Sequence, residues 1–341
     1  MSTTSTEVSS SGKQTYDARG TDGELELLAS GARAVATGAA NMDRLPWQGI
    51  AWDQLEVEDL AGIQRQVRAA IDAKRKAAGT QRQRERGVGR DRRLPAPLYP
   101  GKAGYRALVS QVAPAEQRAS VDRIDRCILG VSLGGGNALE FHGAKLEATV
   151  RWIASRATRC CVLVGDSLGR ISLEVREGLA PDVAEREARA LGRRYAAETE
   201  AIFRHYTTDE VSFEIRYGTD YADHRSFRPY LHEVHTLYQE NDAFRALVHA
   251  FGGVYQARTA RSLTSNDAAL SEHWLRLAHD YLLEEIALFA CLAEDGWPVL
   301  VYPGSIDSII EVAKGRHPGV PAPLGALQFI ALWLDAKTGA R

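Results

Sequence analysis

A short apolar run ends in a serine that is followed by glycines. Residues 127–141 read CILGVSLGGGNALEF, so Ser132 ends a predicted strand and Gly134, Gly135 and Gly136 follow it. Small neighbours allow a substrate, or the backbone groups that stabilise it, to approach a hydroxyl closely. The stretch therefore predicts either a nucleophilic serine or a close strand–helix contact that only small residues permit.

The same stretch satisfies the pattern G-x-S-x-G, formed by Gly130, Ser132 and Gly134. This is the nucleophile elbow of α/β hydrolases, and later acids and histidines could complete a catalytic triad. The glycines lack the spacing of a dinucleotide fingerprint, and no Gly-Lys-Ser/Thr ending of a Walker loop follows them. Serine chemistry is therefore favoured over nucleotide binding.

A second pair of reactive residues stands further along the chain. In the segment YLLEEIALFA, Tyr281 and Glu285 are four residues apart, and hence on one face of a predicted helix. Most other positions of the segment are apolar, so the pair forms a polar stripe on an apolar helix. The spacing alone is also compatible with a solvent-facing stripe.

Alternating strands and helices must position these residues. Apolar runs predict strands, and helical periodicity predicts the helices between them. The predicted strands are 127–133, 160–165, 212–218 and, as the final strand, 298–302; the predicted helices are 137–157, 181–206, 226–258, 267–293 and 306–314. Such alternation implies right-handed crossovers and a parallel sheet covered on both faces. We expect an α/β fold, a Rossmann-like parallel sheet flanked by helices, with its site beyond the carboxyl ends of the strands.

Composition and segment character set the domain organisation. The chain has 341 residues, 45% of them hydrophobic, which is enough for a full core. No apolar stretch is long enough for a bilayer, and the polar start lacks a secretory signal, so we expect a cytoplasmic protein. We predict a disordered tail over residues 1–22, an N-terminal helical and basic extension over 23–120, and the catalytic domain over 121–341.

The four cysteines stand in apolar surroundings without metal-ligand spacing. This favours reduced core residues over disulfides or a metal site.

Two stretches are rich in basic residues. Residues 65–93 hold eleven basic side chains against three acidic ones. The predicted helix 181–206 carries Arg186, Arg189, Arg193, Arg194 and Arg204. The stretch 65–93 is either a solvated linker or a surface that binds nucleic-acid phosphates. The helix 181–206 presents either a solvated face with acidic ion-pair partners or another surface for such phosphates.

Taken in order, these motifs resemble the tRNA-dependent cyclodipeptide synthases. The shared features are G-V-S at a strand end with small residues after it, Y-x-x-x-E-x-x-x-F on a later helix, and a strand ending in Tyr-Pro. The resemblance covers about residues 124–335, and the first 120 residues have no counterpart. Gly135, Tyr302 and Pro303 match the subfamily in which proline follows the tyrosine.

The resemblance implies a fold similar to the catalytic domains of class I tyrosyl- and tryptophanyl-tRNA synthetases. The HIGH and KMSKS motifs of those enzymes are absent, as expected for an enzyme that uses aminoacyl-tRNA already made and needs no ATP. The resemblance implies no cofactor and no metal. Its implied partners are two aminoacyl-tRNAs for each product, without DNA or a membrane, and a monomer is compatible with the family.

The resemblance also assigns roles to residues. In the family, the matching serine takes the aminoacyl group from the first tRNA, a second aminoacyl-tRNA supplies the attacking amine, and the dipeptidyl-enzyme cyclises to a diketopiperazine. Ser132 is then the nucleophile, Tyr281 and Glu285 hold the α-amino group and assist proton transfer, and Tyr302 supports the intermediate and the cyclisation. Substrate-pocket positions are Gly130, Gly134, Gly135, Asp166 and Pro303, and the tRNA-binding positions are the five arginines of helix 181–206. Asp166 is equally suited to cap a helix.

Other functions stay open at this point. A tRNA-dependent aminoacyl transferase that uses another amine would share the aminoacyl-enzyme, whereas an α/β serine hydrolase would require a catalytic histidine. A module that binds tRNA without turnover would leave Ser132 unmodified. The sequence does not identify the amino acids that are joined.

Overall fold

The computed structural model describes residues 94–99, 104–134, 138–260 and 268–336. The predicted tail, most of the predicted extension with the basic run 65–93, and Gly135 lie outside the described residues.

Six strands form one sheet in the order β1-β6-β5-β2-β3-β4. The strands are β1 Tyr105–Ala113, β2 Ile124–Val131, β3 Ala157–Val164, β4 Ser212–Tyr217, β5 Val299–Pro303 and β6 Gln328–Ala336. Neighbouring strands from β6 to β4 are parallel, and β1 pairs antiparallel with β6. The predicted Rossmann-like α/β sheet is confirmed, with one antiparallel strand added at its edge.

Seven α-helices connect and cover these strands in the described part of the chain. They are α1 Gly143–Ala154, α2 Asp166–Glu177, α3 Pro181–Tyr206, α4 Phe227–Glu240, α5 Asp242–Ala260, α6 Ala268–Glu294 and α7 Asp307–Ala313. Short 3-10 helices occupy Ala115–Asp122, Ala138–Phe141, Gly218–Tyr221 and Ala322–Ala326. None of the described helices is long and apolar enough to cross a bilayer.

Helix α3 has the bounds that the sequence predicted, because Pro181 supplies the fixed φ angle of a first helical position. The predicted helix 226–258 is instead divided at Asn241. There the backbone is extended, and the side-chain oxygen of Asn241 accepts a hydrogen bond from the amide of Phe244 at 2.9 Å. Asn241 thereby caps the start of α5. The predicted helix 137–157 is also shorter, since a 3-10 turn precedes α1 and β3 begins at Ala157.

Strands β1 and β6 were not predicted from the sequence. The expectation that 298–302 is the final strand is wrong, since QFIALWLDA forms β6 beside β5. Strand β1 belongs to the same sheet although it precedes residue 121, the expected start of the catalytic domain. Exposed and half-buried positions dominate the first seven residues of β1, so its apolar pattern is weak.

Strand β2 lies at the point where the order of the strands reverses. After β2 the chain adds β3 and β4 on one side, and then returns to add β5 and β6 on the other. The last five residues of β2 and of β3 are all buried, which is typical of strands covered on both faces. Because the connections leave β2 and β5 in opposite directions, a crevice opens beyond their carboxyl ends, and ligands bind in such crevices.

Candidate active site

Ser132 follows β2 directly and is half-buried. Its hydroxyl donates a hydrogen bond of 2.8 Å to the carbonyl of Gly134. This bond holds the side chain at the mouth of the crevice through the backbone of its own loop, and the hydroxyl does not donate to a histidine. The oxygen keeps its lone pairs for attack on an electrophile.

Tyr302 reaches the same place from β5. A Cβ atom at Gly130 would lie 3.7 Å from Cδ2 of Tyr302, an ordinary van der Waals distance, so the Tyr302 ring lies directly beside Gly130 of β2. The ring is 7% exposed and meets Phe141 edge to face, with 5.5 Å between centroids. Pro303 ends β5 and is buried.

Glu285 is a buried carboxyl without an ionic partner. Its side chain is 8% exposed, and its Oε2 atom has no hydrogen-bond partner among the described residues. Burial disfavours the charged form and raises the pKa of Glu285 to about 8. An apolar helix face thus carries a carboxyl that is protonated at neutral pH until a cation reaches it.

Tyr281 stands one helical turn before Glu285. Burial raises the pKa of its hydroxyl, and the charges of Glu285, Tyr255 and Tyr302 add to the effect in that order. Electrostatic influence of this kind requires proximity. The structure therefore places Tyr281 close to Glu285, Tyr255 and Tyr302.

Two aromatic residues of α5, Phe251 and Tyr255, extend this cluster. The ring centroid of Tyr281 is 5.8 Å from that of Phe251 and 5.5 Å from that of Tyr255. The Tyr255 hydroxyl lies 2.9 Å from Oγ of Ser172 on α2. Sequence reasoning did not identify these residues, because α5 and α2 meet α6 only in the folded chain.

Helix α2 packs against the loop that carries Ser132. A Cβ atom at Gly134 would lie 3.5 Å from Cβ of Ser172 and 3.8 Å from Nη1 of Arg176. A Cβ atom at Gly169 would lie 3.9 Å from Cδ1 of Leu133. These are ordinary van der Waals distances, so α2 contacts the Ser132 loop without requiring a glycine at position 134, and the opposing residues on α2 are further members of the site.

Asp166 connects two elements at the end of β3. It is 2% exposed, and its carboxylate accepts hydrogen bonds from the amides of Ser167 and Thr219 and from the Thr219 hydroxyl, at 2.7 to 3.0 Å. These bonds join the start of α2 to the 3-10 turn after β4. Its oxygens are occupied in this way. Asp166 is the first residue of α2, whose N-cap is Gly165, so it is not the helix cap that the sequence suggested.

The five arginines of α3 are all exposed on the outer side of that helix. Three of them form ion pairs one turn apart, namely Arg186 with Asp182, Arg189 with Glu185 and Arg204 with Glu200. No ion pair joins Arg193 or Arg194 to another described residue. The buried side of α3 is formed by small and aromatic residues such as Ala184, Ala188, Gly192 and Tyr195, so one face packs and the other offers positive charge.

Within the described ranges, no group of three or more His, Cys, Asp or Glu side chains is arranged to hold a metal ion. The four cysteines are buried and free.

The sequence matches the family profile described as cyclodipeptide synthase over residues 110–293. The chain belongs to the cyclodipeptide synthase family. The matched residues include Ser132, Tyr281 and Glu285, while Tyr302 lies beyond them. Membership in the cyclodipeptide synthases confirms the predicted class of enzyme, an aminoacyltransferase. No curated protein matches the sequence.

Solved structures of cyclodipeptide synthases share the fold. The enzyme of Fluoribacter dumoffii is 20% identical with a TM-score of 0.57, covering 68% of this chain and 99% of its own. A Mycobacterium tuberculosis protein, whose structure relates cyclodipeptide synthetases to type I tRNA synthetases, is 16% identical with a TM-score of 0.51, covering 73% and 100%. The synthase of Candidatus Glomeribacter gigasporarum, bound to Phe-tRNAPhe, is 17% identical with a TM-score of 0.50, covering 64% and 91%.

Proposed function

We propose that this cyclodipeptide synthase joins two aminoacyl groups, taken from two aminoacyl-tRNAs, into a diketopiperazine through an ester on Ser132. The observation that carries the proposal is the placement of these residues relative to the sheet. Ser132 follows β2 at the reversal of the strand order, Tyr302 lies on the neighbouring β5, and the half-buried Tyr281 of α6 lies near Glu285 and Tyr302, whose charges act on its hydroxyl.

In the first step, Oγ of Ser132 attacks the ester carbonyl of the first aminoacyl-tRNA. The new Cβ–Oγ–C(=O) ester forms, the bond from the carbonyl to the ribose oxygen breaks, and the serine proton passes to that ribose oxygen. Serine is a weak nucleophile, but an ester with a ribose leaving group is an activated acyl donor. The small residues that follow Ser132 allow the ester carbonyl of the substrate to approach Oγ.

Glu285 is suited to hold the α-ammonium group of the bound aminoacyl moiety. The carboxyl is buried and has an unpartnered Oε2, so an incoming ammonium supplies the missing counter-charge. Such a charge-assisted hydrogen bond is strong in a site of low dielectric. The Tyr281 hydroxyl, one turn away, keeps its proton at neutral pH and can accept from the ammonium or donate to the acyl oxygen.

The second step uses the amine of the second aminoacyl-tRNA. This amine attacks the Ser132 ester, so the peptide bond forms as the ester bond to Oγ breaks, and the proton lost by the amine returns to Oγ. The dipeptide is then an ester of the second tRNA. Oγ of Ser132 attacks that ester, takes the dipeptidyl group and releases the second tRNA with the proton on its ribose oxygen. Attack of the remaining free amine on the new Ser132 ester closes the six-membered ring and releases the hydroxyl. Tyr302 lies beside Phe141 and beside Gly130, two residues before Ser132, and we expect it to support this ring closure.

The tRNA partner is inferred from the charge on α3 and from the homologue bound to Phe-tRNAPhe. Phosphate contacts supply most of the affinity in such complexes. Arg193 and Arg194 have no ionic partner among described residues, and we expect them to contribute more than Arg186, Arg189 and Arg204, which must first leave their ion pairs. A cytoplasmic location and a monomer stay predictions.

We propose that the chain belongs to the Tyr-Pro subfamily, whose pattern Gly135, Tyr302 and Pro303 match. The buried Pro303 after Tyr302 is compatible with this assignment.

The test is mass spectrometry of the intact protein and of its small-molecule products after incubation with a mixed pool of aminoacyl-tRNAs. Wild type should gain an aminoacyl mass and release a diketopiperazine, Ser132→Ala should do neither, and Ser120→Ala, which changes an exposed serine, should match wild type. A linear amide would indicate transfer to another amine. An adduct that persists in Ser132→Ala would overturn the role of Ser132.

A further inference from the structure

One face of α2 is turned towards the loop of Ser132. Gly169, Ser172 and Arg176 are spaced by three and four residues, so they share that face. Gly169 approaches Leu133, and Ser172 and Arg176 approach Gly134. Arg176 is in the last turn of the helix and lies furthest towards solvent in this row.

The guanidinium of Arg176 is an available cation at the mouth of the site. Its residue is exposed, and no ion pair or hydrogen bond joins it to another described residue. Its charge acts on the Tyr255 hydroxyl. Burial raises the pKa of that hydroxyl, and the Arg176 charge lowers it in part. Arg176 is therefore close to both Gly134 and Tyr255. Arg170, on another face of α2, forms ion pairs with Glu174 and Glu284.

The distance to the nucleophile limits what this cation can bind. Ser132 is bonded at 2.8 Å to the Gly134 carbonyl, and Arg176 Nη1 would lie 3.8 Å from a Cβ atom on Gly134. An ester attacked by Ser132 belongs to the 3′-terminal nucleotide of the tRNA. The nearest negative charge on that substrate is the 5′-phosphate of the same nucleotide, within one nucleotide of the ester.

A guanidinium is well matched to phosphate, since its N–H groups form a planar fork that binds two oxygens at once. We propose that Arg176 binds the 5′-phosphate of the 3′-terminal nucleotide and so positions the ester over Ser132. This inference rests on the proposed function, because it requires an aminoacyl nucleotide as the acyl donor. In this role Arg176 binds the acceptor end of the tRNA and acts separately from the exposed arginines of α3.

The experiment compares two minimal acyl donors that differ by one phosphate. They are 3′-O-aminoacyl-adenosine and its 5′-phosphate, each carrying an amino acid that wild type takes from tRNA, and the measured quantity is kcat/KM for acylation of Ser132. Arg176→Gln should lower kcat/KM about 10- to 100-fold for the phosphorylated donor and leave the nucleoside donor within about twofold. Arg176→Lys should recover part of the loss, because it keeps the charge without the fork. Arg118→Gln, an exposed arginine before β2, should match wild type with both donors.

Equal losses with both donors would overturn the inference, because they would indicate that Arg176 only stabilises the end of α2. Equal activity of Arg176→Gln and wild type with the phosphorylated donor would also overturn it. In both cases acylation of the wild type from tRNA would leave the proposed function intact. A wild type that is acylated by no donor would instead overturn the proposed function, and the assignment of Arg176 with it.

Discussion

Tyr281 and Glu285 lie one helical turn apart on α6, where burial and then the neighbouring Glu285 charge raise the pKa of the Tyr281 hydroxyl. Burial also raises the pKa of Glu285 to about 8. The free enzyme therefore holds protons on both groups at neutral pH, and an ammonium that binds there favours loss of the Glu285 proton. No cation of the described residues forms an ion pair with Glu285, and we propose that the ammonium of the substrate binds there.

Glu285 should make the stability of the free enzyme fall as the pH rises. Its folded pKa is above the ordinary value, so between about pH 4.5 and 8 the folded state binds more protons than the unfolded state, and stability is lost across that window. In Glu285→Gln this loss should be absent. The free energy of unfolding of the variant minus that of wild type should increase by on the order of 3 kcal/mol from pH 5 to pH 8.5.

The measurement is urea unfolding at several pH values, with Glu272→Gln as the control on the exposed side of α6. A variant that follows the wild-type slope would mean that Glu285 is ionised in the free enzyme.

His279 should have the opposite effect at lower pH. Burial and then the charge of His249 lower its pKa; the two imidazole rings stack with 4.8 Å between centroids. The unfolded state therefore binds more protons below about pH 6.5, and the fold loses stability as the pH falls through that region. His279→Gln should flatten the decline of the unfolding temperature between pH 7 and 5.5, although its stability at pH 7 is reduced. His273→Gln, an exposed histidine of the same helix, should retain the wild-type slope.

Two adjacent glycines of α5 should respond differently to alanine. A Cβ atom at Gly252 would lie 2.7 Å from the ring of His279 and 2.9 Å from Leu275, whereas nothing lies within 4 Å of one at Gly253. We expect Gly252→Ala to destabilise by about 1–3 kcal/mol through overpacking. Gly253→Ala should stabilise by about 0.5–1 kcal/mol through helix propensity. Denaturant unfolding measures both, and equal effects would contradict the close approach of α5 to α6.

Glu147 should hold the segment before β1 in place. Its buried carboxylate accepts hydrogen bonds from the amide of Leu98 at 2.5 Å, from the amide of Tyr99 at 3.1 Å and from the Tyr206 hydroxyl at 2.9 Å. Loss of a charged acceptor leaves three donors without it, so Glu147→Ala should cost about 2–4 kcal/mol. Hydrogen exchange at Leu98 and Tyr99 should accelerate more than exchange in β2. Glu140→Ala removes a half-exposed carboxylate and should leave both amides protected; unchanged protection in Glu147→Ala would show that other contacts hold the segment.

The parts of the fold that were predictable carry strong local patterns. The last five residues of β2 are a continuous apolar run, which the sequence predicted as part of a strand over 127–133, and α3 begins at a proline and has its predicted bounds. Strand β1 was not predicted, since its pairing with β6 joins residues more than 200 positions apart and its own pattern is mixed. The division of the helix at Asn241 depends on one side-chain cap within an otherwise helical pattern.

The same distinction applies to the site. The four-residue spacing of Tyr281 and Glu285 is a local property and could be recognised, as could the small residues after Ser132. Tyr255 and Arg176 lie on helices that meet the Ser132 loop only through tertiary packing. Nothing in the sequence near Arg176 separates it from other arginines at a helix end.

The pairing of β1 with β6 determines when β1 can join the sheet during synthesis of the chain. Within the described sheet, β1 forms hydrogen bonds with β6 and with no other strand, and β6 is the last strand of the sheet to be synthesised. While the ribosome is still translating the helices between β4 and β5, β1 has already left the exit tunnel with its edge unpaired. Chaperones that bind exposed strands have that interval to act, and a nascent chain arrested before residue 328 would present β1 to them.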